Sequence, residues 1–175
     1  MPLQPVSGSR VWRLLRHRWC DERDVARALP GAALARLEAA IHASEHQHTG
    51  ELRISVEAGL PLSYLWRRAS ARARAIALFG KLNVWDTEHN NGVLIYLLLA
   101  ERSIEIVADR GLARKVPAAE WQAMVALLAP ACRAGDFEGG LQQCVSLVGD
   151  MLRQHFPAAE GSAPRNELSN SVDLR

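Results

Sequence analysis

The chain has 175 residues, 49% of them hydrophobic, and a formal charge of +2. Such a length supports one domain that buries about two-thirds of the surface exposed by the unfolded chain, so no disulfide framework or structural metal is required. The small net charge gives no reason to expect a nucleic-acid partner, no tract reaches the ~18 apolar residues of a membrane span, and Cys20, Cys132 and Cys144 are too scattered for a paired-cysteine zinc site.

Residues 1–28 read as a helical extension. Ser7 to Arg18 suits a short basic helix, with Val11, Leu14, Leu15 and Trp19 turned toward the protein and arginines outward, a pattern that also fits an anionic membrane surface through residues 7–19. Met1–Cys20 has no apolar h-region, because Arg10, Arg13, Arg16, His17 and Arg18 interrupt it, and a cytoplasmic location is expected, either free or peripheral to the inner membrane face. Asp21 is suited to cap a second helix through Leu29, and Pro30 to open a third that carries Leu34, Leu37 and Ile41 to about Glu45.

Residues 29–157 form the main domain. From Glu51 to Glu57 the apolar period changes to two, with Leu52, Ile54 and Val56 on one face and Arg53, Ser55 and Glu57 on the other. A helix from Ser63 to Gly80 follows, with Leu65, Ala69, Ala73, Ile76 and Ala77 inward and Arg67, Arg68, Arg72 and Arg74 outward. Val93–Leu99 has no alternation and reads as a strand covered on both faces. Strand, helix and strand make a βαβ crossover with parallel strands. Ala100–Ser103 then turns the chain into an antiparallel strand containing Ile104 and Ile106. Pro117 opens a helix that Pro130 should kink or break. Gly135 stops that helix, Asp136 is a structural cap for the last one, and Gly139 and Gly140 predict close packing against the sheet. Residues 158–175 are polar, small and rich in breakers, which predicts a disordered tail. The fold class is therefore α/β, a three-layer α/β/α sandwich with a small mixed central sheet.

This topology gathers candidate chemistry at one sheet edge: Glu45, His48 and Glu51 before the first strand, Asp86, Glu88, His89, Asn90 and Asn91 before the second, Asp109 and Arg110 after the third. Glu57, Glu101, Arg102 and Asp136 fall at or near the other edge. Asp86, Glu88, Asn90 and Asp109 offer hard oxygen ligands suited to calcium or another divalent cation. The same residues also suit an ordinary turn, with Asp86 and Asn90 bonding local N–H groups and Asn91-Gly92 as a left-handed pair. His42, His46 and His48 are a third possibility, a soft-metal site. Ser44 and His48 stand four residues apart, but no nucleophile elbow or phosphate-binding glycine loop accompanies them.

Asn90-Asn91-Gly92-Val93-Leu94-Ile95 resembles the Asp-Asn-Gly-Val-Leu signature of TPM domains. Arg102–Gly111 and Arg133-Ala134-Gly135-Asp136-Phe137-Glu138-Gly139-Gly140-Leu141 resemble that family's next strand and its Gly-Asp-aromatic segment, while Ser44–Glu51 and Trp85–Glu88 are similar to a small bacterial subgroup. The resemblance covers about Leu29 to Pro157 and implies an α/β/α sandwich. It further implies either a binding or assembly module with a protein partner and a calcium-binding loop, or a cation-dependent acid phosphatase. Asn90 stands where the family commonly has aspartate, which removes one negative charge from a cation site. A phosphomonoester hydrolase needs a nucleophile or activated water as well as charge on the phosphoryl oxygens. Arg110 and a cation fit the second requirement; whether the chain is an enzyme stays open at the first.

Overall fold

The computed structural model describes residues 10–159 and 168–175; the expectations for Ser7–Ser9, for the side chain of Val11 and for 160–167 lie outside the described residues. Three helices come first: α1 (Arg10–Trp19), α2 (Glu22–Ala28) and α3 (Gly31–Glu45). Asp21 caps α2 in a full capping box, its carboxylate accepting from the Arg23 and Asp24 N–H groups while Asp24 accepts from the Asp21 N–H. Strand β1 (Leu52–Glu57), helices α4 (Leu62–Trp66) and α5 (Ala71–Lys81), strand β2 (Val93–Leu98) and strand β3 (Ser103–Ala108) follow. The rest of the main domain is α6 (Arg110–Ala113), α7 (Ala118–Ala134) and α8 (Phe137–His155).

Strand β1 runs parallel to β2 from Leu52 beside Val93 to Glu57 beside Leu98, and β3 runs antiparallel to β2. Alternation along these strands divides the core into two layers. Leu52, Ile54, Val56, Val93, Ile95 and Leu97 meet Leu37 and Ile41 of α3, Leu128 of α7 and Leu141 and Val148 of α8. Leu94, Tyr96 and Leu98 point the other way, against Leu65 of α4 and Ala75 and Leu78 of α5. Helices thus cover both faces, the three-layer α/β/α arrangement expected from the continuous apolar run of β2. Removal of each fully buried leucine from water contributes about 1.5–3 kcal/mol, so the central strand holds its flanking loops firmly.

Several local expectations are corrected. The helix expected over 63–80 is two helices, because Arg68 adopts φ 54° and Ser70 restarts the helix by accepting from the Ala73 N–H. Pro61, not Ser63, precedes α4. The register therefore shifts, so that Ala71, Ala75 and Leu78 face inward while Ile76 is exposed. Helix α7 is not broken at Pro130 but continues through it to Ala134, and Gly135 ends it at φ 86°, as expected. Gly140 approaches Ala131 and Cys132 of α7 rather than the sheet. Leu15 and Trp19 face solvent, the reverse of the expected orientation.

The tail is also corrected where it is described. Asp173–Leu174 form β4, parallel to β1 on its free side, giving the order β3-β2-β1-β4. Ser55 donates to Asp173 at 2.8 Å, and the Ala58 N–H donates to the Arg175 carbonyl at 2.9 Å. An edge strand with unpaired backbone groups is a liability, and Leu168–Arg175 covers it. All three cysteines are free, with Cys132 and Cys144 buried.

Candidate functional site

The start of β1, the start of β2 and the end of β3 do share one edge, where the antiparallel register sets Val93 beside Ala108. The predicted residues at that edge fall into three environments. Asp86, Glu88 and His89 are exposed on the loop surface. Asn90 and Arg110 meet, the Arg110 guanidinium donating to Asn90 Oδ1 at 3.0 Å. His48, Glu51 and Asp109 are buried, with Asn91 beside them only 1% exposed. Among the described residues, no three His, Cys, Asp or Glu side chains gather as a metal group, so Asp86, Glu88 and Asp109 are not drawn into one cluster. His42 and His46 meet edge to face with ring centroids 4.4 Å apart, and His48 turns inward away from that pair to bond Ser44 and Gly50.

The loop itself is fastened by backbone. Asn90 adopts φ 51°, a left-handed conformation that asparagine tolerates better than most residues, and its carbonyl accepts from the Gly111 N–H at 2.8 Å. A Cβ on Gly111 would lie 2.5 Å from the Asn90 oxygen and 2.6 Å from the His89 oxygen. Two carbonyl oxygens therefore converge where only glycine fits. Two positions upstream, Asp109 accepts the Arg110 N–H at 2.6 Å through Oδ1, while its buried Oδ2 has no hydrogen-bond partner among the described residues.

Asn91, assigned from sequence to a turn, is the most completely enclosed of the polar residues at this edge. Its amide donates to the Thr49 carbonyl at 3.1 Å, and its N–H donates to the Thr87 hydroxyl, while its own Oδ1 is buried without a partner among the described residues. Strand alternation separates it from Asp109. Asn91 continues the Val93 face toward α8, whereas Asp109 continues the Val107 face toward α5. A buried polar atom without a partner costs about 1–3 kcal/mol, so each of these two oxygens is a separate place where a donor or cation would be welcome.

Beside β1 the burial is of a different kind. The His48 Nδ1–H donates to the Gly50 carbonyl at 2.9 Å, which leaves Nε2 to accept from the Ser44 hydroxyl at 2.9 Å. Desolvation pulls the imidazole pKa down to about 4, partly opposed by the Gly50 bond. A neutral histidine accepting a serine proton is the pairing used to activate a nucleophile. Here, however, a Cβ on Gly149 would lie 2.2 Å from Ser44 Oγ, so α8 closes over the hydroxyl. The pair locks α3 to the following turn. Burial also pushes Glu45 up to about 7, against the opposing bond from the Leu52 N–H and with nearby Glu51 adding to the rise. Asn170 and the Leu168 N–H, from the segment expected to be disordered, donate to Glu45 and Glu51 respectively.

At the far edge, sequence reasoning missed a buried network. Arg74 donates to both Glu57 oxygens at 2.7 and 2.9 Å, and the Tyr96 hydroxyl donates to Glu57 at 2.6 Å. Desolvation, then the adjacent Glu57 charge, raises the Tyr96 pKa, so the phenol remains a donor. Arg74 was expected on an outer arginine face; α4's early end rotates it inward. A second cluster joins Glu101 to Arg13 and His17, with the His17 Nδ1 accepting from the Leu60 N–H. A cleft of about 410 Å³ opens nearby, lined by Cys20, Asp21, Glu57 and Arg175 among others, but its buried carboxylate is already fully engaged. Asp136 caps α8 by accepting the Gly139 N–H at 3.0 Å, well away from the loop edge.

Comparisons with known proteins agree with this architecture. The family model described as the TPM domain matches residues 23–151. A solved NMR structure of the BA42 protein from the psychrophilic bacterium Bizionia argentinensis superposes with a TM-score of 0.73 at 24% identity, covering 84% of this chain and 95% of that one, and shows the same fold. No curated protein matches the chain in sequence.

Proposed function

The chain belongs to the TPM domain family, and from that premise we propose that it is a non-catalytic binding module for a protein partner, its loop edge taking a divalent cation at Asp109. One observation carries the cation site: Asp109 Oδ2 is buried without a donor among the described residues, two residues from the glycine on which the His89 and Asn90 carbonyls converge. Carboxylate and carbonyl oxygens are the ligands calcium prefers, and water can complete its six to eight positions. Asp109 supplies the charge, and the two carbonyls supply neutral oxygens. Exposed Asp86 and Glu88 raise the local negative potential without standing in the first ring of ligands.

Phosphomonoester hydrolysis has weaker support, because the best-placed hydroxyl, Ser44, is shut in beneath Gly149. A thermal melt with calcium tests the binding reading. Calcium at 100 times its dissociation constant should stabilise the fold by ~2.7 kcal/mol, a rise of ~5–10 °C for a chain of this size. Asp109→Asn should abolish that rise. No shift with calcium, magnesium or manganese would remove the cation site. Calcium-dependent hydrolysis of an aryl phosphate that Asp109→Asn abolishes would favour the enzyme instead.

A further inference from the structure

Helix α1 is attached to the protein by its polar side. Arg13 donates to Glu101 and to the Ala69 carbonyl, each at 2.9 Å, and His17 reaches Glu101 and the Leu60 N–H at 3.0 Å. Leu14 alone of its leucines packs into the core. The apolar stripe faces outward: Trp12, Leu15 and Trp19 recur at i, i+3 and i+7, and are 55%, 37% and 66% exposed. Trp12 and Trp19 are in edge-to-face contact at 6.0 Å. An amphipathic helix ordinarily turns such a stripe toward its own core. This one presents it to the surroundings.

Helix α4 adjoins α1. The Arg13–Ala69 bond ties α1 to the segment just after α4, and Leu14 shares its core cluster with Tyr64 and Leu65. On α4, Leu62 and Trp66 are 61% and 80% exposed. Residues 10–19 and 60–81 themselves include no Asp or Glu, and Glu101 beneath α1 is already paired with Arg13 and His17. Arg72 and Arg74 are engaged with the Ile106 carbonyl and Glu57, but Arg16, Arg18, Arg67 and Arg68 are exposed beside the aromatic residues.

We propose that α1 and α4 form an anionic-membrane docking face, with Leu15, Trp19 and Trp66 entering the headgroup region and Arg16, Arg18, Arg67 and Arg68 meeting lipid phosphates. Tryptophan is suited to that boundary because its ring is apolar and its N–H needs a wet partner. Each arginine near an anionic surface adds to binding, and the apolar side chains limit escape. Among the described residues no helix is long and apolar enough to cross a membrane, so this face would lie on the bilayer. The inference is independent of the Asp109 site.

Vesicle flotation in the presence of EDTA tests it without any calcium bridge. The full chain should float with vesicles of about 3:1 phosphatidylcholine to phosphatidylserine and remain below with phosphatidylcholine alone. Trp19→Ala/Trp66→Ala should reduce the bound fraction ~tenfold or more, and Arg16→Gln/Arg18→Gln should weaken binding by a similar factor. Both variants change exposed side chains, and their unchanged melting temperatures would show that the fold is intact. Failure of the full chain to float with the mixed vesicles would overturn the proposal, as would equal flotation of the tryptophan variant. A dimer that Trp19→Ala/Trp66→Ala dissociates, with no flotation of the full chain, would assign this face to a second copy and overturn the lipid reading.

Discussion

The two ends of β1 bury carboxylates in opposite ways. At its C-terminal end Glu57 receives two hydrogen bonds from Arg74 and one from Tyr96. At its N-terminal end Glu45 takes neutral donors from Leu52 and Asn170, and on the same sheet edge Asp109 and Asn91 each leave one oxygen without a partner among the described residues. A satisfied buried network rigidifies and specifies the core, whereas a half-satisfied one is held at a cost. The first end therefore serves architecture. The second leaves two oxygens unpartnered among the described residues, and the proposed binding is assigned there.

Arg74→Ala should break this contrast most severely. It would leave Glu57 buried without its counter-charge and cost ~3–5 kcal/mol in a urea titration. A loss of only a few tenths would mean that the far edge is no better organised than the near one. The second effect lies at Glu45. Its folded pKa of about 7 exceeds the ordinary 4.5, so the stability it contributes is fully present below 4.5 and is lost as pH rises through 7. His48 acts oppositely: its pKa falls from 6.5 to about 4, so its contribution is present above 6.5 and is lost as pH falls through 4. Glu45→Gln removes the first slope, and the variant should exceed the natural chain by ~1–3 kcal/mol at about pH 8. Denaturant titrations of both chains across the acid-to-neutral range would show the His48 slope alone in the variant. Asp136→Ala, remote from both networks, should cost ~1 kcal/mol through its lost helix cap. Asp109→Asn, measured without added cation, keeps the bond from the Arg110 N–H and exchanges one unpartnered buried atom for another, so it should change stability least of these variants.

Features with a local cause were readable from sequence. The alternation of Leu52, Ile54 and Val56, the unbroken run of β2, the Asp21 and Asp136 caps and the Gly135 stop each follow from short-range chemistry. Features set by distant partners were not. Arg68 takes a positive φ within an arginine-rich segment that otherwise reads as helix, and that break rotates Arg74 onto Glu57. Asp173–Leu174 is too short to show a strand period, and its pairing depends on the vacant side of β1. Asn90 and Asn91 look alike as turn residues, yet Asn90 meets exposed Arg110 while Asn91 is enclosed beside Thr49. The stripe of α1 was recognised, but its outward direction follows from Glu101 and Ala69, far away in sequence.

Calcium titration followed by backbone amide NMR tests the contrast between the two edges most directly. Saturable shifts should appear at His89–Gly92 and Asp109–Leu112, with Glu57, Arg74 and Tyr96 unmoved, and Asp109→Asn should abolish them. An unchanged spectrum, or shifts centred on Glu57 and Tyr96, would contradict the assignment of binding to the loop edge.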